Sequence, residues 1–324
     1  MQRNHPKLIE PLPEVAIQAI VNNTFGDNAR ILLCEELTGG LFNTSYHLVT
    51  SDPDLDMVLR IAPSDKSRLL SYEQTMMMAE PVIYAMLRDA GIPVPRVFAY
   101  DSSGKIVPRD FIFVEYIEAE CMDSPKIPSE AKPLLLRQLG CYLAMIHGIQ
   151  GYQFGWPTED GDIRGHQTWS EVFSFMLNEI IICCATHGII SKADVSKIET
   201  TFGTHRSLFE MVGEPRLTHN DIWAPNILAC EEGGWHIAAI IDADRAMFAD
   251  REFESALWWT PEPQFWDGYG KTLDPSPEAR FRRKIYELYF NLWQAFAFKV
   301  QIWNPAWHES FRQRALNILK ELTS

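Results

Sequence analysis

Three side chains in the second half of the chain could do chemistry together. Asp221 and Asn226 lie in the run Leu217-Thr218-His219-Asn220-Asp221-Ile222-Trp223-Ala224-Pro225-Asn226-Ile227-Leu228. Asp242 ends the apolar run Ile237-Ala238-Ala239-Ile240-Ile241, and Asp244 follows two residues later. A carboxylate at the mouth of a buried strand is costly unless something compensates it. Mg2+ would do so, because it takes one or two carboxylate or carbonyl ligands and completes its shell with water and phosphates. Asp221, Asn226 and Asp242 thus supply a base, a neutral oxygen ligand and an anionic ligand. Phosphoryl transfer asks for that set: one group orients the attacking hydroxyl, and ligands hold metal on the phosphates. Each residue alone is ordinary, since an aspartate at a strand end is more often a turn or capping residue. Their concentration within one loop and hairpin carries the reading.

The elements around them must bring the three together. In an uninterrupted helix, residues five apart diverge by about 140°. Pro225 makes a helix improbable and pushes Ala224 toward an extended backbone, so a loop can turn Asp221 and Asn226 to one point. A hairpin follows, with strands at 227–229 and 235–241 about a Glu231-Glu232-Gly233-Gly234 turn. Upstream, the pattern predicts a short helix over 13–21 and strands over 31–37, 45–50 and 57–61, with a turn at Asp52-Pro53-Asp54. Ala79, Val82, Ile83, Met86, Leu87 and Ala90 recur at helical spacing; Gly91 ends that helix, and Pro93 and Pro95 forbid its return. Strands over 97–100 and 111–117 complete a β-rich first part. Beyond 117 the texture is helical, with Leu135, Leu139, Leu143 and Ile146 on one helix and 216–242 as the one β-like island. The expected class is α+β, with a small lobe over 1–117 and a larger helical lobe over 118–324.

The catalytic segment is similar to that of the aminoglycoside phosphotransferase family, relatives of the protein kinases. That pattern is His-x-Asp-x-x-x-x-Asn, a hairpin, then Ile-Ile-Asp, met here by His219, Asp221, Asn226 and Ile240-Ile241-Asp242. The layout most resembles hygromycin-type phosphotransferases. Asn220 stands where the family commonly has glycine, and Ala243 where an aromatic residue is common. The resemblance implies a bilobal protein-kinase-like fold with ATP between the lobes (GTP is left open) and Mg2+ on Asn226 and Asp242. It implies that Thr38-Gly39-Gly40-Leu41-Phe42-Asn43-Thr44 covers the nucleotide, with Gly39, Gly40 and Asn43 among its contacts. Arg60 stands where kinases carry the strand lysine that meets the phosphates, and arginine binds phosphate bidentately. Glu80 matches the helix glutamate that steadies this cation. Pro81 directly after it should kink or start a helix, so Glu73 is the second candidate partner. Phe113-Val114-Glu115-Tyr116-Ile117 resembles the lobe-connecting hinge, with backbone groups near Glu115 and Ile117 facing the adenine edge. Leu143-Ala144-Met145-Ile146-His147 and Trp169-Ser170-Glu171-Val172-Phe173 extend the likeness, with His147 read as structural.

Composition narrows the partners. The chain has 43 acidic and 29 basic residues, a formal net charge of −14, which argues against nucleic acid and suits solubility or a cationic substrate. Its six cysteines form no Cys-x-x-Cys pair and read as buried free thiols in a reducing compartment. Residues 1–13 do not resemble a signal peptide, and 180–190 is too short and too interrupted to span a bilayer. A cytoplasmic location without membrane association is expected. Walker-type, dinucleotide-binding, zincin and hydrolase-elbow motifs are absent from the sequence, and Asp242 is not followed by the Phe-Gly of a protein kinase. The expected activity is transfer of the γ-phosphate to a small-molecule hydroxyl. The acceptor could be an aminoglycoside or another cation, or a choline, sugar or amino-alcohol type metabolite. The alternative is an inactive nucleotide-binding module on the same fold. Trp169, Glu252, Glu254, Glu262, Asp267, Trp258, Trp259, Phe265 and Trp266 are the residues that could line a cationic acceptor site. Acceptor identity and oligomeric state stay open at this level.

Overall fold

A computed structural model of the chain describes residues 8–256 and 262–323. Helix α1 (Glu14–Phe25) leads into strands β1 (Arg30–Leu37), β2 (Thr44–Ser51) and β3 (Leu55–Ile61). Helix α2 (Met76–Asp89) and strands β4 (Val97–Asp101) and β5 (Phe111–Glu115) follow. The strands form one antiparallel sheet in the order β1-β2-β3-β5-β4. Ile17 and Ile20 of α1 pack with Tyr46, Leu48, Leu59 and Phe113 on one side of it. Ile83, Tyr84 and Leu87 of α2 join Ile112 and Val114 in a second core on the other. With both faces covered, β5 is apolar and buried over four consecutive residues instead of alternating.

Pro81 does not start α2. It lies inside the helix, which runs on to Asp89, so the helix forgoes one backbone hydrogen bond. Gly91 closes it at φ +80°, with its N–H donating to the Arg88 carbonyl and that of Ile92 to Leu87. A left-handed residue there is what glycine supplies without strain.

The chain then crosses to β6 (Glu120–Cys121), which pairs with the hairpin strand β10 (Ile227–Glu231) described below. Helix α3 (Lys132–Ile146) leads to a short hairpin, β7 (Phe154–Pro157) and β8 (Ile163–His166). Helices α4 (Trp169–Thr186), α5 (Lys192–Thr204) and α6 (Arg206–Glu210) precede β9 (Arg216–Thr218). Strand β10 is followed by β11 (Trp235–Ile240) and β12 (Met247–Ala249), then helices α7 (Pro263–Tyr269), α8 (Pro277–Phe296) and α9 (Pro305–Thr323).

The second part therefore holds more strand than the single island expected. Two small sheets, β11-β10-β6 and β8-β7-β12-β9, frame the loop after β9. The β7–β8 hairpin is only four residues a strand, and Gly155 faces Gly165 across it. A Cβ on Gly155 would lie 2.2 Å from the Arg164 carbonyl oxygen, so the pairing depends on glycines that read as strand breakers.

Helix α4 is long and apolar enough to cross a membrane, but half of it is buried, with Trp169, Phe173 and Ile180 packed with Tyr286, Tyr289 and Leu292 of α8. It is a core helix. The cysteines are unpaired, yet only Cys184 is buried; Cys141 is exposed and the others are half-buried, which corrects the expectation of a uniformly buried set.

Candidate active site

Strand β9 delivers the chain into a left-handed turn at Asn220, φ +62°. Glycine is the residue that enters this region freely, and asparagine is among the few others that tolerate it. That explains how asparagine can stand at this position. Its amide group is tied down too: Nδ2 donates to the Arg245 carbonyl at 3.1 Å.

A buried carboxylate fixes the same turn from behind. Glu254 accepts the backbone N–H of Asn220 at 2.8 Å and that of His219 at 3.2 Å. His147 at the end of α3 meets Glu254 at 2.8 Å through Nε2 and the Tyr269 hydroxyl at 2.7 Å through Nδ1. A carboxylate can only accept, so Nε2 carries the proton on the Glu254 side. His219 is fully buried, which holds its imidazole below the usual range, and its Nδ1 accepts the Asp221 N–H at 3.3 Å.

Asp221 follows, half-buried. A single 3-10 turn, Ala224–Asn226, then folds Asn226 back, so that its Nδ2 donates to the Asp221 carboxylate at 2.7 Å and carbonyl at 3.0 Å. The Ile241 N–H donates to the Asn226 carbonyl at 3.0 Å, which sets the start of Asp242 beside the loop. Asp242 is itself left-handed, φ +62° and ψ +53°. The three residues singled out by spacing are thus linked through one short chain of contacts.

Arg60 on β3 reaches the same place. Its guanidinium pairs with Glu80 of α2 and with the Asp242 carboxylate, and lies 3.3 Å from Asp244. Glu80, not Glu73, is therefore the partner of Arg60. Glu73 pairs with Arg245 at 3.5 Å and accepts from Trp293 Nε1 at 2.9 Å and Gln301 Nε2 at 2.7 Å. Arg245 lies over the Trp293 ring at 4.3 Å and the Phe42 ring at 5.3 Å, joining the 38–44 loop to α8.

Within that loop Gly39 has φ +132°, which demands glycine although space around it is open. The Asn43 amide is buried and donates to Asp244 at 3.2 Å. At the crossing between the parts, the Glu115 N–H is taken by the Arg96 carbonyl at 2.8 Å, whereas the Ile117 backbone makes no hydrogen bond among the described residues.

Electrostatics mark the cluster. Four carboxylates, Glu80, Asp221, Asp242 and Asp244, face two guanidinium groups, those of Arg60 and Arg245. Burial first, and the Asp242 charge second, push Asp221 up to about 7 and Asp244 up to about 6. Burial pushes Glu80 up to about 7 against the pull of Arg60. For both arginines burial opposes the charge, and the surrounding carboxylates more than restore it. Such a surplus of buried negative charge suits a divalent cation with phosphates attached. No group of three or more His, Cys, Asp or Glu that could hold a metal ion is found among the described residues.

A model of the phosphotransferase enzyme family matches residues 34–297. The chain belongs to that family. No curated protein sequence matches it. A protein assigned as a fructosamine-3-kinase from Thermobifida fusca YX-ER1 has the same fold, with a TM-score of 0.67 at 17% identity over 97% of this chain and 99% of that one. A thermostable mutant of aminoglycoside phosphotransferase APH(4)-Ia, solved with AMP-PNP and hygromycin B, has a TM-score of 0.65 at 17% identity over 94% and 98%. APH(2")-IIIa with GDP and kanamycin has a TM-score of 0.59 at 13% identity over 96% and 99%. The bilobal α+β fold is that of these kinase-like enzymes. As a member of the family, the chain is a kinase-type phosphotransferase acting on hydroxyl groups of small molecules.

The phosphotransferase fold corrects the expected acceptor patch. Glu254 is 0% exposed and serves the loop backbone. Glu252 is 3% exposed and holds Arg283 and the Asp274 N–H. Neither is a solvated face or a cation site. Trp169 is fully buried, with its Nε1 bonded to the Tyr286 hydroxyl at 2.7 Å, and Phe265 lies in the core under α3. Glu262 and Asp267 are exposed and Trp266 half-buried, while Trp258 and Trp259 lie outside the described residues. Trp223, whose N–H donates to the Asp221 carbonyl at 3.1 Å, is 41% exposed.

Proposed function

We propose that this phosphotransferase transfers the γ-phosphate of ATP to a hydroxyl of a small-molecule acceptor. The observation that supports it most is the joining of Asp221, Asn226, Asp242 and Arg60 into one half-buried, over-acidic cluster. Asp221 is the group that orients the acceptor hydroxyl and takes its proton. Asn226 and Asp242 would hold Mg2+, which would supply charge neutralisation at the phosphates. Arg60, fixed by Glu80, meets the α- and β-phosphates. The 38–44 loop covers the phosphates through Gly39, Gly40 and Asn43. The Ile117 backbone meets the adenine edge, with Glu115 beside it. Residues 1–117 form the nucleotide-side lobe and 118–324 the acceptor-side lobe.

The acceptor hydroxyl must lie beyond the γ-phosphate, within reach of Asp221. The exposed Trp223 indole is the aromatic face nearest that point in sequence, and it suits a cationic or sugar-like acceptor by stacking. A nucleotide-release screen over aminoglycosides, amino-alcohols, choline-like compounds and sugars, run with ATP and with GTP, tests the reading. The expected result is one acceptor class whose product gains a phosphate by mass. Its KM should rise in Trp223→Ala while the nucleotide KM stays unchanged. Nucleotide binding with no phosphorylated product from any hydroxylated compound would instead favour an inactive binding module.

A further inference from the structure

We propose that Tyr84 is a positioning residue that holds Asp242 ready for metal; the inference rests on the metal role proposed for Asp242. Tyr84 comes four residues after Glu80 on α2, so both side chains leave the same face of that helix. It is 1% exposed, and its hydroxyl oxygen accepts the backbone N–H of Asp242 at 3.1 Å. Having accepted there, the phenol has its own proton left to give. The carboxylate beside it is Glu80, whose Oε2 is buried without a hydrogen-bond partner. Glu80 in turn holds Arg60, and Arg60 holds the Asp242 carboxylate.

Helix α2 therefore grips Asp242 twice. Tyr84 takes its backbone, and Glu80 takes its side chain through Arg60. The grip has something to hold: Asp242 sits at φ +62°, in the left-handed region that few residues other than glycine enter, aspartate among them, and that is held here by its contacts. Phenylalanine at position 84 would keep the buried ring and remove only the hydroxyl, which accepts the Asp242 N–H and carries the proton beside Glu80. The Asp242 N–H would lose its partner, and the left-handed turn that aims the carboxylate would relax.

The test compares wild type with Tyr84→Phe in three measurements. Equilibrium binding of ATP is measured with Mg2+ and with EDTA. Amide exchange at Asp242 is followed in the metal-free, nucleotide-free protein. Thermal unfolding checks that the variant is folded. Loss of one hydrogen bond at the ligand's backbone should cut the Mg2+-dependent gain in ATP affinity by about tenfold and leave binding in EDTA within about twofold. Exchange at Asp242 should speed up by a similar factor. If Tyr84→Phe gains as much affinity from Mg2+ as wild type and exchanges at the same rate, the positioning role is overturned while the phosphotransfer reading stands. If wild type itself gains nothing from Mg2+, both fail, since Tyr84 then has no metal ligand to position.

Discussion

At the scale of single residues, the cluster is built around a conflict of charge that the nucleotide complex would resolve. Asp221 and Glu80 are pushed up to about 7 and Asp244 to about 6, whereas unfolded carboxyls titrate near about 4. A raised acid pKa means that the folded chain binds the proton more tightly than the unfolded one. The stabilising contribution is full below about pH 4 and is lost as pH rises through about 6 to 7. These groups should thus make the metal-free protein less stable toward alkaline pH. Mg2+ favours the ionised cluster, so Mg2+-ATP affinity should increase between about pH 6 and 8, most steeply near 7. Calorimetric titrations across that range measure it, and an affinity that is flat or falls would contradict the account. Asp221, Asn226 and Asp242 were readable from the sequence because their spacing is local. Tyr84 and Glu254 were not, since each acts on a backbone group more than thirty residues away, and such a contact leaves no local pattern.

At the scale of elements, the loop after β9 owes its shape to what lies behind it. Glu254 takes two backbone amides of the left-handed turn, and His147 and Tyr269 complete a buried line of hydrogen bonds behind that carboxylate. Glu254→Gln keeps the shape but puts an amide donor against backbone donors. It should cost about 1–3 kcal/mol of stability and lower kcat more than nucleotide affinity. Denaturant unfolding and steady-state kinetics check both, and a variant matching wild type in the two would remove Glu254 as the anchor. The main strands of the first sheet and the β10–β11 hairpin were legible from alternation, and α2 and α3 from helical spacing. The β7–β8 hairpin was not, because Gly155, Pro157 and Gly165 read as breakers although close backbone approach requires those glycines. Pro81 misled in the opposite sense: α2 tolerates it because tertiary contacts of Glu80, Ile83 and Tyr84 outweigh one lost backbone bond.

At the scale of the whole molecule, two bodies of secondary structure meet along the line Arg60–Asp242–Asn226–Asp221. The sheet and α2 supply Arg60, Glu80 and Tyr84; the second part supplies the loop, the hairpin and Asp242. The surplus of acid in composition does not translate into the patch first inferred from it, since Glu252 and Glu254 are spent on internal contacts. On the proposed reading the chemistry rests on the loop and not on the outer charge, with Asp221 at its centre. The most direct measurement is kcat of Asp221→Ala beside its Mg2+-ATP affinity, with the best acceptor from the screen. The account predicts a loss of about 10²–10⁴-fold in kcat with affinity within about twofold of wild type. Turnover at the wild-type rate in that variant would contradict it.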